Sequence, residues 1–128
     1  MRNIIFLFSI LLIVSCKKDN TPPDLQLKSG TGYTYADLTI SPGGTFTVGV
    51  IADKRADDLH LIYTEVAYDG ANTPNLIAKY PVVANQRNHS EQDILITCRA
   101  QAGTERWVFN VNDKNGRISK REIKVTVQ

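Results

Sequence analysis

The chain has 128 residues, with 15 lysines and arginines against 13 aspartates and glutamates, and 42% of its residues are hydrophobic. That length is one ordinary domain and not two. The basic residues are scattered and the net charge is only +2, so there is no electrostatic footprint for nucleic acid.

In chain order, Met1-Arg2-Asn3 carries one positive charge, and Ile4 to Val14 (IIFLFSILLIV) is apolar apart from Ser9. A helix crossing a bilayer needs roughly 20 apolar residues, so this tract is too short for a permanent span. A charged start, a short apolar run and the small Ser15 make a secretory signal peptide. The boundary Ile13-Val14-Ser15-Cys16 resembles the lipobox of bacterial lipoproteins, and Ser-Cys-Lys-Lys-Asp is similar to the start of lipoproteins of the Bacteroidota type. The resemblance implies cleavage before Cys16, acylation of Cys16 by a palmitate-type chain, and residence in the cell envelope as an outer-membrane lipoprotein. Charged export signals after the cysteine lean acidic in that group. Here Lys17 and Lys18 precede Asp19, so a periplasmic and a surface-exposed location both stay open. The expected division is a cleaved signal peptide at 1–15, a lipidated tether and linker at 16–23 ending in Thr21-Pro22-Pro23, and a folded domain at 24–128.

With Cys16 lipidated, Cys98 stands alone and no intrachain disulfide forms. Within Ile94-Leu95-Ile96-Thr97-Cys98 it reads as a small buried hydrophobe.

From Asp24 onward apolar residues recur with a period of two. Leu25 and Leu27 alternate in a first strand. Tyr35 to Ile40 is a second candidate, stopped by Ser41-Pro42-Gly43-Gly44. Phe46, Val48, Val50 and Ala52 line one face of a third, followed by Asp53 to Asp58, a charged turn read as a solvated loop. Leu59 to Asp69 is apolar on parts of both faces, which fits a central strand or a bulge that swaps faces. Leu76 to Val83 is interrupted by Pro81 and suits a sheet edge. Ala84 to Ser90 reads as polar loop. Asp93 to Ala100 carries Ile94, Ile96 and Cys98 on one face. Glu105 to Asn112 points Trp107, Phe109 and Val111 inward. Asp113-Lys114-Asn115-Gly116 is a hairpin turn, and Ile123, Val125 and Val127 complete the last strand.

About seven short strands with turn signals between them imply an all-β, two-sheet antiparallel sandwich. Gly103 to Val127 (GTERWVFNVNDKNGRISKREIKVTV) resembles the closing hairpin of bacterial Ig-like and PKD-like domains. An aromatic-x-aromatic-x-Val strand there runs into Asp-x-x-Gly and then a Val-x-Val strand. The resemblance implies an Ig-like sandwich without the Cys…Trp…Cys signature of antibody-type domains.

Catalytic machinery is not legible. His60 sits between two leucines on a strand, His89 reads as a loop residue, and neither has zinc-type spacing. There is no nucleophile elbow, phosphate-cradling glycine loop or dinucleotide fingerprint. Asp57-Asp58 are adjacent carboxylates that diverge from each other. Asp113 to Gly116 looks like the opening of a calcium loop, but the twelfth position holds Lys124. The expectation is therefore no enzyme, no metal site and no cofactor.

The tyrosines remain. Tyr33 and Tyr35 share a face of an extended segment, and Tyr68 and Tyr80 lie on or near less regular strands. Tyr33, Tyr35 and Tyr80 are candidate ligand-binding residues, since exposed tyrosines stack on sugar rings or anchor protein partners. The expected function is a non-catalytic binding module for glycan or protein at the outer membrane, with the membrane held through the N-terminal lipid. The alternative is a structural or interaction subunit of a larger outer-membrane or surface assembly.

Overall fold

A computed structural model describes residue 16 and residues 18–128; the expected signal peptide, 1–15, and Lys17 lie outside the described residues. Eight strands form in chain order: β1 (Asp24–Leu27), β2 (Leu38–Ile40), β3 (Thr45–Asp53), β4 (Leu59–Tyr68), β5 (Asn75–Pro81), β6 (His89–Thr97), β7 (Gly103–Asp113) and β8 (Ile118–Val127). They make two sheets, one ordered β1-β3-β6 and the other β2-β8-β7-β4-β5. Every pairing is antiparallel except β2 with β8, where Leu38 faces Val125 and Ile40 faces Val127. The chain thus contributes β1 to one sheet and β2 to the other, and eight strands form among the described residues where about seven are expected.

The core lies between the sheets and follows the period of two. Val48, Val50 and Ala52 of β3 and Ile94 and Ile96 of β6 meet Ile62 and Val66 of β4, Trp107, Phe109 and Val111 of β7, and Ile123 and Val125 of β8. Cys98 is buried just past the end of β6, with its thiol against the Ser41 carbonyl at 3.3 Å. Pairing opposite one another, β3 and β6 bury apolar surface at about 25 cal/mol per Å², the main stabilising term of such a sandwich.

Strand β4 is both central and bulged. Leu59 pairs with Asp113 and Leu61 with Asn112, so His60 is the extra residue, and it is exposed. The bulge moves Leu61 outward while Leu59 and Ile62 both stay in the core. Edge strand β5 has its own bulge at Ile77 and ends at Pro81, as its proline requires.

Some limits differ from the sequence reading: the second strand, expected from Tyr35, spans only Leu38–Ile40 and leaves Tyr35 in the loop before it. β6 begins at His89, four residues early, because its backbone continues to pair with β3, Ser90 opposite Ala52 and Gln92 opposite Val50. The segment from 84 to 90 therefore holds a single 3-10 turn at Ala84–Gln86 and the first residues of a strand. The Asp53–Asp58 turn is also not simply solvated. Asp57 bonds the Arg117 guanidinium and accepts from Asn115 Nδ2 at 2.6 Å, and Asp58 bridges Lys54 at 2.7 Å and Lys114 at 3.2 Å.

The β7–β8 hairpin closes on its own aspartate. Asp113 Oδ1 accepts the backbone N–H groups of Asn115 (2.9 Å) and Arg117 (3.0 Å), and Oδ2 accepts Arg117 Nε (2.9 Å). Gly116 supplies the positive φ of +80° that the turn needs. Both Asp113 oxygens are thereby committed to the turn.

Candidate functional site

Strand order brings to the outer face of the five-stranded sheet residues that are far apart in the chain. Arg106 on β7 stands beside Lys124 on β8 and Ala67 on β4, and Glu122 stands one row further along, opposite Val108. At the end where β4 finishes, these residues border a concavity of about 650 Å³. Its floor includes Ala67, and its walls include Asp37, Asn72, Arg106, Glu122 and Lys124.

Each wall is fixed for a local reason. Arg106 Nη1 meets Glu122 Oε1 at 2.9 Å, while Nη2 donates to the carbonyls of Asn72 (3.2 Å) and Ala71 (3.4 Å). One guanidinium therefore ties the β4–β5 loop to the sheet, using the planar fork that lysine lacks. Asp37, just ahead of β2, accepts the backbone N–H of Lys124 at 2.9 Å, which seats the start of β2 against β8. Lys124 is exposed at the rim. The result is a polar recess with both signs of charge and loop carbonyls around Ala67. It offers hydrogen bonds and ion pairs to a ligand and no nucleophile paired with a base.

A second recess, of about 450 Å³, is lined by Tyr68, Arg99, Ala100 and Gln101. The Arg99 guanidinium lies 5.4 Å from the Tyr68 ring centre and binds both carboxylate oxygens of Asp69. With the Thr104 N–H as a further donor, Arg99 holds the Asp69 carboxyl down at a pKa of about 2. Asp69 takes φ of +52°, a left-handed position that aspartate tolerates better than most residues. Behind it, buried Glu105 accepts the Arg99 backbone N–H and the Trp107 indole N–H, each at 2.7 Å.

The three candidate tyrosines are not brought together. Tyr33 lies on the outer face of the three-stranded sheet, its hydroxyl donating to Asp93 Oδ2 at 2.9 Å and its ring 5.3 Å from Lys28 Nζ. Tyr35 is 55% exposed in the loop before β2. Tyr80 is half-buried against the core from the inner side of β5, and burial pushes its hydroxyl pKa up. None of the three lines either recess.

Tyr33 belongs to a chain of charges on that other face. Lys28 bridges Glu91 (2.8 Å) and Asp93 (2.9 Å), and His89 stands between Asp53 (2.6 Å) and Glu91 (3.1 Å). Glu91 and Asp93 hold the Lys28 ammonium well above its ordinary pKa, and Asp53 and Glu91 raise that of His89. Gly49 makes room for this: a β-carbon there would sit 2.8 Å from Lys28 Cβ. His89 is thus a strand residue in an ion-pair network and not a loop residue. Among the described residues, no group of three or more histidines, cysteines and carboxylates is placed to hold a metal ion.

The outer face of β7 also departs from simple alternation. Val108 and Asn110 point away from the core yet are buried. Val108 is flanked across the strands by Glu65 and Glu122, and Asn110 by Tyr63 and Lys120, long side chains that cover small ones. Asn110 Nδ2 donates to Glu65 Oε2 at 3.0 Å, while its Oδ1 has no partner.

Comparison with solved structures places this architecture. The BIgI domain of beta protein from S. agalactiae, solved bound to CEACAM1, superposes with a TM-score of 0.51 at 14% identity over 83% of this chain and 96% of that one. The fold is an Ig-like β-sandwich. Murine CRIg matches with a TM-score of 0.43 at 14% identity over 83% of this chain and 98% of that one. A beta-glucosidase from Listeria innocua matches with 0.48 at 14% identity over 81% of this chain, which spans 16% of the enzyme's length. No protein-family model and no curated protein sequence matches the chain.

The sequence alone did not single out Arg106, Glu122, Lys124 or Asp37. Alternation with Trp107, Ile123 and Val125 marks Arg106, Glu122 and Lys124 as outward-facing across one hairpin, but only strand order brings Asp37 and Ala67 to them.

Proposed function

We infer that the chain is a lipid-anchored protein of the bacterial cell envelope, attached through Cys16 to the outer membrane. There it acts as a non-catalytic binding module whose ligand is a protein. The observation that supports a protein over a glycan is the larger recess of the Ig-like sandwich. Its lining pairs Arg106, Lys124, Glu122 and Asp37 with loop carbonyls and contains no aromatic ring for a sugar to stack on. Mixed charge suits a peptide segment with its own backbone groups and ionic side chains. One domain of this fold, BIgI, is bound to CEACAM1, so the architecture is compatible with protein capture.

A second reading, a subunit of a larger envelope assembly, draws on edge strand β5. Leu76 and Ile77 are each 51% exposed beside an unpaired strand edge, a surface open to pairing with another chain.

Mass spectrometry tests the anchor. The mature protein should begin at an acylated Cys16 and fractionate with membranes, and Cys16→Ala should lose both properties. An unchanged mass and unchanged membrane attachment in Cys16→Ala would remove the anchor reading. Cross-linking in intact cells tests the binding role. A discrete partner should be captured by the native chain and lost in Lys124→Glu but retained in Leu76→Lys, and the opposite pattern would favour the assembly reading.

A further inference from the structure

The tether is fastened to the domain almost as far as its cysteine. Pro23 is buried, and its carbonyl accepts the Ser119 hydroxyl. Asp24 pairs with Arg55 at 2.6 Å. Further out, Arg117 Nη1 donates to the Asp19 carbonyl at 2.9 Å, and Asp19 folds back to accept the Thr21 N–H (2.9 Å) and hydroxyl (2.6 Å). Arg117 is itself immobilised by Asp113 and Asp57, with its side chain only 17% exposed. One arginine therefore joins three segments: the β3–β4 turn, the β7–β8 turn and the tether.

That leaves three residue steps between Cys16 and the fastened Asp19, which span at most about 11 Å even when fully extended. The end of the sandwich next to Asp19 is the one built from the β3–β4 and β7–β8 turns. Strand β7 then runs away from it: Asp113 to Arg106 is seven strand steps, about 23 Å at 3.3 Å per residue.

We propose that this turn end is a membrane-facing surface, held against the lipid headgroups by the Arg117 clamp and the short tether, so that the Arg106–Lys124 recess is presented on the far side. The proposal rests on the lipid-anchor reading. Its partner is the bilayer surface itself and not a particular anionic lipid. Lys54 and Lys114 are already spent on Asp58, Arg55 on Asp24, and Arg117 on Asp57 and Asp113. The turns carry little free charge toward anionic lipid, so the length of the tether sets the orientation. Charge-driven docking would be screened by salt; this arrangement is not.

The test uses the acylated full chain in phosphatidylcholine vesicles containing a headgroup quencher. A fluorophore is placed at the turn end through Lys114→Cys, with Asn115→Cys as a second variant, or at the far end through Asn72→Cys. Buried Cys98 takes no label in the folded protein. The expected result is at least several-fold stronger quenching at 114 and 115 than at 72, unchanged between low and high salt. The difference should collapse when ten Gly/Ser residues are inserted after Lys18, because the flexible tether then reaches roughly 15–20 Å further. Arg117→Ala should weaken it in the same direction. Equal quenching at both ends in protein that floats with the vesicles overturns the orientation and leaves the anchor standing. Protein that fails to float removes the anchor, and the orientation with it.

Discussion

The two ends of the sandwich are built on opposite plans. At the turn end, carboxylates and cations are matched pair by pair: Asp57 and Asp113 with Arg117, and Asp58 with Lys54 and Lys114. At the other end, charged groups that are also paired, Arg106 with Glu122 and Arg99 with Asp69, border open space. Arg106, Glu122 and Lys124 border one recess, and Tyr68 and Arg99 line another. The pairs at the turn end order turns and a tether, whereas those at the other end line recesses, with Lys124 exposed at the rim of the larger one. In the proposed reading, the contrast separates holding from binding within a single small domain.

The largest effect should come from the core that both ends share. Phe109→Ala removes a fully buried ring from the middle of β7 and should cost about 3–5 kcal/mol by urea unfolding. Amide exchange should accelerate at both ends together. Loss of protection at one end alone would mean that the sandwich is not one cooperative unit.

Next come the buried carboxylates that organise each end. Glu105→Ala leaves the Trp107 indole N–H and the Arg99 N–H without acceptors, at about 1–3 kcal/mol for each buried group left unpaired. Asp113→Ala releases two turn N–H groups and Arg117, with a similar cost. The two variants should part in their local consequences. Proteolysis at the tether should rise in Asp113→Ala and not in Glu105→Ala, and equal cleavage in both would break the division between the ends.

A smaller effect is expected at Gly49, where Ala places a methyl group against the Lys28 stem and should cost about 1–3 kcal/mol by overpacking. The matching measurement is thermal unfolding of Gly49→Ala beside Lys28→Gly, which removes the obstacle. The double variant should recover part of the loss.

The smallest effects are those of pH, and they differ in sign between sites. The Asp69 carboxyl sits at about 2 in the folded chain against about 3.9 when unfolded, so its contribution is complete above about pH 4 and fades as pH falls toward 2. Asp69→Asn should flatten that part of the melting-temperature profile. His89 is raised by Asp53 and Glu91. Its contribution is present below about pH 6.5 and is lost as pH rises through the raised value. His89→Gln should flatten the profile there, and a profile unchanged in both regions would show that neither network bears on stability.

Much of the architecture was legible as alternation. Phe46 to Ala52, Trp107 to Val111 and Ile123 to Val127 put every second side chain into the core between the sheets because a strand turns its side chains to opposite faces. The mixed pattern of β4 goes with an interior strand beside edge strand β5 and with a bulge at His60, near its start and not midway as expected. The start of β6 was illegible because His89, Ser90, Glu91 and Gln92 are all polar, and only their backbone pairing with β3 makes them a strand. The recess was hidden for a different reason. Arg106, Glu122 and Lys124 meet across the β7–β8 hairpin, but Asp37 joins them only because β2 pairs parallel to β8, a long-range choice that no local pattern announces. The tyrosines illustrate the converse: Tyr33 and Tyr35 stood out by type and spacing, yet Tyr33 is tied to Asp93 on the other sheet.

The separation of holding from binding is tested most directly by photo-cross-linking in living cells, with a photoreactive side chain at position 72 beside the recess or at position 115 in the β7–β8 turn. The account predicts a protein adduct from position 72 and none from position 115. An adduct from 115 alone would contradict it.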